Sequence, residues 1–261
     1  LEMIPGMRMS ASVSQVAGVR ISYCGRLERT VPALHKMGYD GIEILLRRAE
    51  EIEVRSLRGL LSRYDMKVSA IGTGLAIRDG LTLSSRDERI RLKAVSRVLE
   101  FSKLAENLDC CVILGSIKGG VFPEPSLGSL EKSSRQLRDV RAVIEPLNRY
   151  ESAIVNTASE AVNLIRKLDL ERFGVLLDTF HMNIEEKHPA GTIEKVGKML
   201  EHFHIADSNR RAPGDGHIQF EGIFEELKKI RYNGFISAEI LQEPTSAAAL
   251  QKTMRFVRAM S

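Results

Sequence analysis

The sequence contains no tryptophan and only three cysteines, Cys24, Cys110 and Cys111. Two of these are adjacent and no Cys-x-x-Cys pair occurs. A disulfide framework and a thiolate-rich zinc site are therefore excluded. Buried, reduced thiols in a cytoplasmic protein are the expected state. No apolar run approaches the roughly 20 residues of a membrane span, and no signal peptide is evident. Charge of one sign is also missing. Lys and Arg number 38 against 34 Asp and Glu, which leaves +4, and the two signs are interleaved along the chain. That pattern is a solvated surface, not a nucleic-acid face. No Gly-rich phosphate loop follows the first strand-like run, so an open dinucleotide-binding sheet is disfavoured.

What is present is 261 residues, 43% hydrophobic and 28% charged, enough for a large core. Short β-branched apolar runs alternate with amphipathic segments to the end of the chain. Strands are expected at 8–13, 41–46, 67–72, 110–114, 142–145, 174–178, 202–205 and 235–239. Helices are expected at 27–37, 54–64, 86–108, 126–140, 159–168, 192–200, 221–230 and 245–260. Eight strands, each followed by a helix, predict an α/β fold: a single (β/α)8 TIM barrel spanning residues 1–261. Residues 1–6 precede the first strand and are set aside as a disordered or appended stretch. Gly38 and the pair Asn233-Gly234 are expected to end helices, where a left-handed backbone is needed. The loop 14–26 is long and expected to be mobile.

Functional groups of such barrels sit at the C-terminal ends of the strands. The ends of the last four expected strands carry Glu145, Asp178, His204 (followed by the terminal Ile205) and Glu239. A single Glu at a strand end is ordinarily a surface carboxylate. Three carboxylates and an imidazole closing four consecutive strands form a different pattern. Like charges at one mouth repel and raise one another's pKa, and a divalent cation removes the conflict. The donor set suits one hard or borderline cation such as Mn²⁺, Mg²⁺ or Co²⁺. Glu151, His181 and Arg210 follow on the post-strand loops, where they can meet sugar hydroxyls or a developing oxyanion.

Three stretches carry a family likeness: Glu145-Pro-Leu-Asn-Arg-Tyr-Glu151, Leu177-Asp-Thr-Phe-His-Met-Asn-Ile-Glu-Glu186 and His204-Ile-Ala-Asp-Ser-Asn-Arg210. They resemble the D-tagatose/D-psicose (allulose) 3-epimerase group of the xylose-isomerase-like sugar isomerase/epimerase superfamily. The likeness is close over residues 142–239; the first half matches as a barrel pattern only. It implies that Glu145, Asp178, His204 and Glu239 bind a metal, usually Mn²⁺. It implies that Glu145 and Glu239 are also the acid/base pair, and that Glu151, His181 and Arg210 contact substrate. The partner implied is a small sugar, with the enzyme assembled as a homo-oligomer, dimer or tetramer. His217 stands where many relatives carry Arg.

The chemistry so implied is carbon-3 epimerisation of a ketose through a metal-stabilised cis-enediolate. An aldose–ketose isomerase or a keto-polyol dehydratase would use the same intermediate. A metal-dependent apurinic endonuclease shares the outline Asp178…His181, His204, Asp215-Gly-His217 and Glu239. Its three-metal site would need further His ligands on the third and fourth strands. Those strands end in Gly72-Thr73-Gly74 and Leu114-Gly115-Ser116. A non-catalytic sugar-binding barrel would not require the acid/base pair.

Overall fold

A computed structural model describes residues 6–260; residues 1–5, most of the stretch set aside above, lie outside the described residues, as does 261. In chain order the elements are β1 (Arg8–Ser14), β2 (Tyr23–Cys24), α1 (Leu27–Met37), β3 (Gly41–Leu45), α2 (Val54–Ser62), β4 (Lys67–Gly72), α3 (Glu88–Leu108) and β5 (Cys111–Leu114). There follow α4 (Leu127–Gln136), β6 (Ala142–Ile144), α5 (Ala158–Leu168), β7 (Phe173–Asp178), α6 (Thr179–Glu185), α7 (Pro189–Val196), β8 (Leu200–Ile205), α8 (Phe220–Lys229), β9 (Phe235–Ala238) and α9 (Ser246–Met260). The strands pair in parallel in the order β1-β3-β4-β5-β6-β7-β8-β9, and β9 returns to β1. Closure leaves the ring without an edge, and the result is a (β/α)8 TIM barrel.

Side chains alternate across each strand and sort into two layers. On β5, Val112 and Leu114 join the large core between barrel wall and helices. Cys111 and Ile113 instead meet Ala70, Val143 and Leu176 in a separate small cluster, which fills the lumen. The rest of the lumen is polar: Ser10, Ser12, Ser14, Glu43, His202, His204 and Ser237 are all buried. Buried polar groups need partners, so this part of the molecule is where chemistry is concentrated.

The expected elements appear with instructive differences. Gly38 ends α1 in the left-handed region at φ 92°, with its N–H returned to Leu34 and His35. Gly234 plays no such part. The left-handed residue after α8 is Arg231, at φ 55°, whereas a Cβ at Gly234 would overlap the Tyr232 ring. The helix expected at 192–200 instead starts with Pro189 in its first turn and stops at Gly197. Leu200 already belongs to β8. The short helix α6 was not legible from periodicity; it is set off by Asp178, whose Oδ1 accepts the Phe180 N–H at 2.8 Å. The loop 14–26, expected to be mobile, is tied down. Its β2 pairs with Val13 and Ser14, and Val16, Val19 and Ile21 pack on Leu45 and Leu75.

Candidate active site

Strand ends and backbone ladders deliver four side chains to one point. Glu145 and Glu239 lie one residue beyond β6 and β9, and Asp178 and His204 are opposite each other in the β7–β8 register. The Glu145 N–H still donates to Leu114 O at 3.3 Å, which holds its Cα on the barrel rim. His204 Nδ1 stands 3.4 Å from Glu145 Oε1, 3.5 Å from Asp178 Oδ2 and 3.4 Å from Glu239 Oε2. The four ligand atoms lie within 4.8 Å of one another, and all four residues are buried.

This donor set fits a divalent cation. Glu145 Oε1 and His204 Nδ1 are both buried without a hydrogen-bond partner, although they face each other. Two orphaned acceptor-capable atoms aimed at one point, beside two more carboxylates, are what an ion would satisfy. Among the described residues one other group of this kind exists, Glu43, His202 and His204, and it shares His204 with the first. Asp215 is paired with Lys252, and His217 bonds Ser208 at 3.0 Å on the exposed loop. Neither joins the cluster, so the three-metal outline of a nuclease is not assembled among the described residues.

Electrostatics follow from burial and neighbours. Burial, reinforced by Glu239 and Asp178, pushes the Glu145 carboxyl up to about 7 against the pull of His204. Burial would also raise Asp178, but the Arg210 guanidinium and nearby imidazoles outweigh it and hold that carboxyl below the ordinary range. Burial alone would lower His204; Glu43 and Glu239 reverse this and raise it well above the usual imidazole value. Arg210 donates to both Asp178 Oδ2 and Glu239 Oε2, bridging two of the four residues.

Arg210 itself is held in a left-handed backbone at φ 62°, an uncommon state for a side chain of this size. The loop after β8 enforces it. Asp207 accepts backbone N–H bonds from Ser208, Gly214 and Ile218. The Arg210 N–H returns to Asp207 O at 2.8 Å, and its carbonyl receives Leu241 N–H at 2.7 Å. The ring of Phe180 lies under the guanidinium at 4.8 Å.

His181 projects from α6, where its Nδ1 accepts from the Asn148 backbone at 3.2 Å and contacts the Asn148 side-chain amide at 2.8 Å. Two amide donors on Nδ1 place the ring proton on Nε2, which faces Glu145 Oε1 at 3.9 Å. Burial drives this imidazole down to about 3, so it is neutral at physiological pH. Glu151, half exposed, accepts from Asn148 Nδ2 at 3.0 Å. Arg149 clamps this loop to α6 through three bonds to Glu185.

All three loop residues expected to meet substrate, Glu151, His181 and Arg210, line the same cleft as Glu145, His204 and Glu239. The cleft holds a cavity of about 170 Å³, and the apolar part of its lining is aliphatic: Val19, Ile21, Leu45, Leu75, Ile113 and Leu147. Sequence reasoning missed Glu43 and His202. A glutamate inside the apolar run Gly-Ile-Glu-Ile-Leu, and a second histidine two residues before His204 on one strand, were available signals. It also missed Lys118, a buried lysine with no hydrogen-bond partner, whose amine burial lowers to about 7.

Comparison with known proteins agrees with this geometry. The family model described as "Xylose isomerase-like TIM barrel" matches residues 31–260. D-psicose 3-epimerase of Ruminiclostridium cellulolyticum is 32% identical over 228 residues, covering 78% of this chain and 74% of the relative. L-ribulose 3-epimerase of Methylomonas sp. is 28% identical, covering 87% and 82%. Among solved structures, D-allulose 3-epimerase from Methylomonas sp. superposes with a TM-score of 0.84 over the whole of both chains at 22% identity. An AP endonuclease of family 2 from Brucella melitensis superposes at 0.76, with 19% identity, over 94% of this chain and 97% of that one. Structural likeness at such identities speaks for the barrel and not for the reaction.

Proposed function

The chain belongs to the xylose isomerase-like TIM-barrel family, and we propose that it is a divalent-metal-dependent ketose epimerase acting at carbon 3. One observation carries this reading: two buried glutamates, Glu145 and Glu239, approach the same imidazole nitrogen at 3.4 Å from strands separated by β7 and β8. Two proton-transfer groups reaching one substrate carbon from different sides are what inversion at that carbon requires.

Glu145, Asp178, His204 and Glu239 would hold the cation, Mn²⁺ by family likeness, which supplies polarisation of the ketose carbonyl and neighbouring hydroxyl and so acidifies the C–H between them. One glutamate, as carboxylate, takes the proton from carbon 3. The other, as carboxylic acid, returns a proton to the opposite face of the enediolate. His181 offers its Nε2–H to the oxygen that gains negative charge. Arg210, which now neutralises Asp178 and Glu239, is the second donor and turns to sugar oxygens once those carboxylates take up a cation. Glu151 accepts from a sugar hydroxyl at the cleft mouth.

Among the described residues Arg210 is the single Lys or Arg that lines the cleft, and the apolar part of the lining is aliphatic. A cleft with so little positive charge supports a free ketose over a sugar phosphate. Three free cysteines support a cytoplasmic setting. Among the described residues no helix is long and apolar enough to cross a membrane. Exposed Val121 and Phe122 beside the cleft-bearing end provide apolar surface for a second copy in a dimer or tetramer.

The test is incubation of the Mn²⁺-loaded protein in D₂O with free and phosphorylated ketoses. The expected product is the 3-epimer of a free ketose carrying deuterium at carbon 3. Formation of an aldose, loss of water, or no exchange with any ketose would overturn the assignment.

A further inference from the structure

We propose that Glu43, inside the barrel, is a positioning residue that presents His204 Nδ1 as a cation ligand, with His202 as its clamp. The inference rests on the reading of Glu145, Asp178, His204 and Glu239 as a cation site. Glu43 sits in the middle of β3 with no solvent exposure. His202 and His204 are two residues apart on β8 and so point to the same face, into the lumen. Their Nε2 atoms both meet Glu43 Oε2, at 2.7 Å and 2.8 Å. Three strand steps separate β8 from β3 around the ring, so these contacts cross the barrel interior and are not a by-product of strand pairing.

The chemistry of the shared oxygen decides the tautomer. A carboxylate only accepts, so each Nε2 presents N–H to Glu43. His204 Nδ1 is then the ring atom left to face the three carboxylates of the rim, where it has no hydrogen-bond partner and where a bound cation would take its lone pair. Carboxylate–imidazole–metal series of this kind fix ring orientation and raise ligand basicity. His202 gives Glu43 a second donor, which holds the carboxylate oxygen in place beneath His204. A buried carboxylate with a cross-barrel partner contributes little to folding that an apolar side chain would not. Orientation of a ligand is a role for which an apolar substitute cannot serve.

The experiment compares metal-stripped wild type, Glu43→Met, Glu43→Gln and His202→Phe by calorimetric titration with Mn²⁺. The same proteins loaded with Mg²⁺ are examined by NMR for the His204 Nε2–H proton, which a carboxylate acceptor shifts downfield and protects from exchange. Glu43→Met removes the acceptor at similar size. It is expected to weaken Mn²⁺ binding about 10–100-fold and to move the His204 Nε2–H signal upfield with faster exchange while the circular dichroism spectrum is kept. Glu43→Gln keeps an accepting oxygen and is expected to restore part of the downfield Nε2–H shift and part of the affinity. His202→Phe should weaken binding severalfold with Glu43 intact, and it decides the matter if Glu43→Met does not fold. Wild-type affinity together with a wild-type His204 Nε2–H signal in Glu43→Met, or wild-type affinity in His202→Phe, overturns the inference alone. Two ions per wild-type chain also overturn it, since Glu43 would then be a ligand. A wild type that binds no divalent cation removes the cation site itself, a separable result.

Discussion

At the scale of single residues, two glutamates are asked to do what no other group in the cleft can do. Glu145→Gln and Glu239→Gln keep shape and remove the proton-transfer function. Each is expected to lower kcat by about 10²–10⁴-fold, the usual contribution of a general acid or base, with an unchanged circular dichroism spectrum. Full activity in either variant would contradict the assignment. Glu145 also sets a pH dependence. Its folded-state carboxyl is raised to about 7 from an ordinary 4.5, so the metal-free folded state holds a proton there that the unfolded state has lost. Stability from this group is fully present below 4.5 and is lost as pH rises through 7. The metal-free Glu145→Gln variant should therefore gain on wild type across that window, by up to about 3 kcal/mol, as read by urea titration at several pH values. Cation binding needs the ionised carboxylate and runs the other way. Mn²⁺ affinity should fall by at least roughly tenfold per unit as pH drops below 7.

At the scale of elements, the strand ends position the chemistry and the turns that follow tune it. Gly115, directly after β5, illustrates this. A Cβ there would overlap Glu145 Oε2. Gly115→Ala is expected to displace that carboxylate and weaken Mn²⁺ binding at least roughly tenfold, because metal sites tolerate little ligand displacement. Its far-ultraviolet spectrum should match wild type, and an affinity equal to wild type would refute the contact. Short β-branched apolar runs made the eight barrel strands legible in the sequence, and the ends of the last four gave Glu145, Asp178, His204 and Glu239. Helix limits were less legible where local signals competed. Pro189 and Gly197 bracket α7 more tightly than its apolar pattern suggests, and Arg231 takes the left-handed turn that Gly234 was expected to make. Glu43 and His202 stayed hidden because their partnership crosses the barrel. No local spacing records a contact between residues 159 positions apart.

At the scale of the whole molecule, barrel closure brings β6 to β9 around one mouth while loops from both halves of the chain wall the cleft. Val19, Leu45 and Leu75 come from the first half, where the family likeness was only a barrel pattern, so their place in the cleft lining needed the fold itself. A ligand bound only by the folded state stabilises it by mass action. Mn²⁺ at 100 times its Kd should add about 2.7 kcal/mol and raise Tm by roughly 5–10 °C for a chain of this size. Chelation should reverse the shift, and Glu145→Gln should blunt it. The central claim is that four side chains from successive strands share one ion, and anomalous diffraction from Mn²⁺-soaked crystals tests it most directly. The account predicts a single peak bounded by Glu145, Asp178, His204 and Glu239, with the Arg210 guanidinium withdrawn from Asp178 and Glu239. No peak there, or a peak bounded by Glu43, His202 and His204 instead, would contradict it.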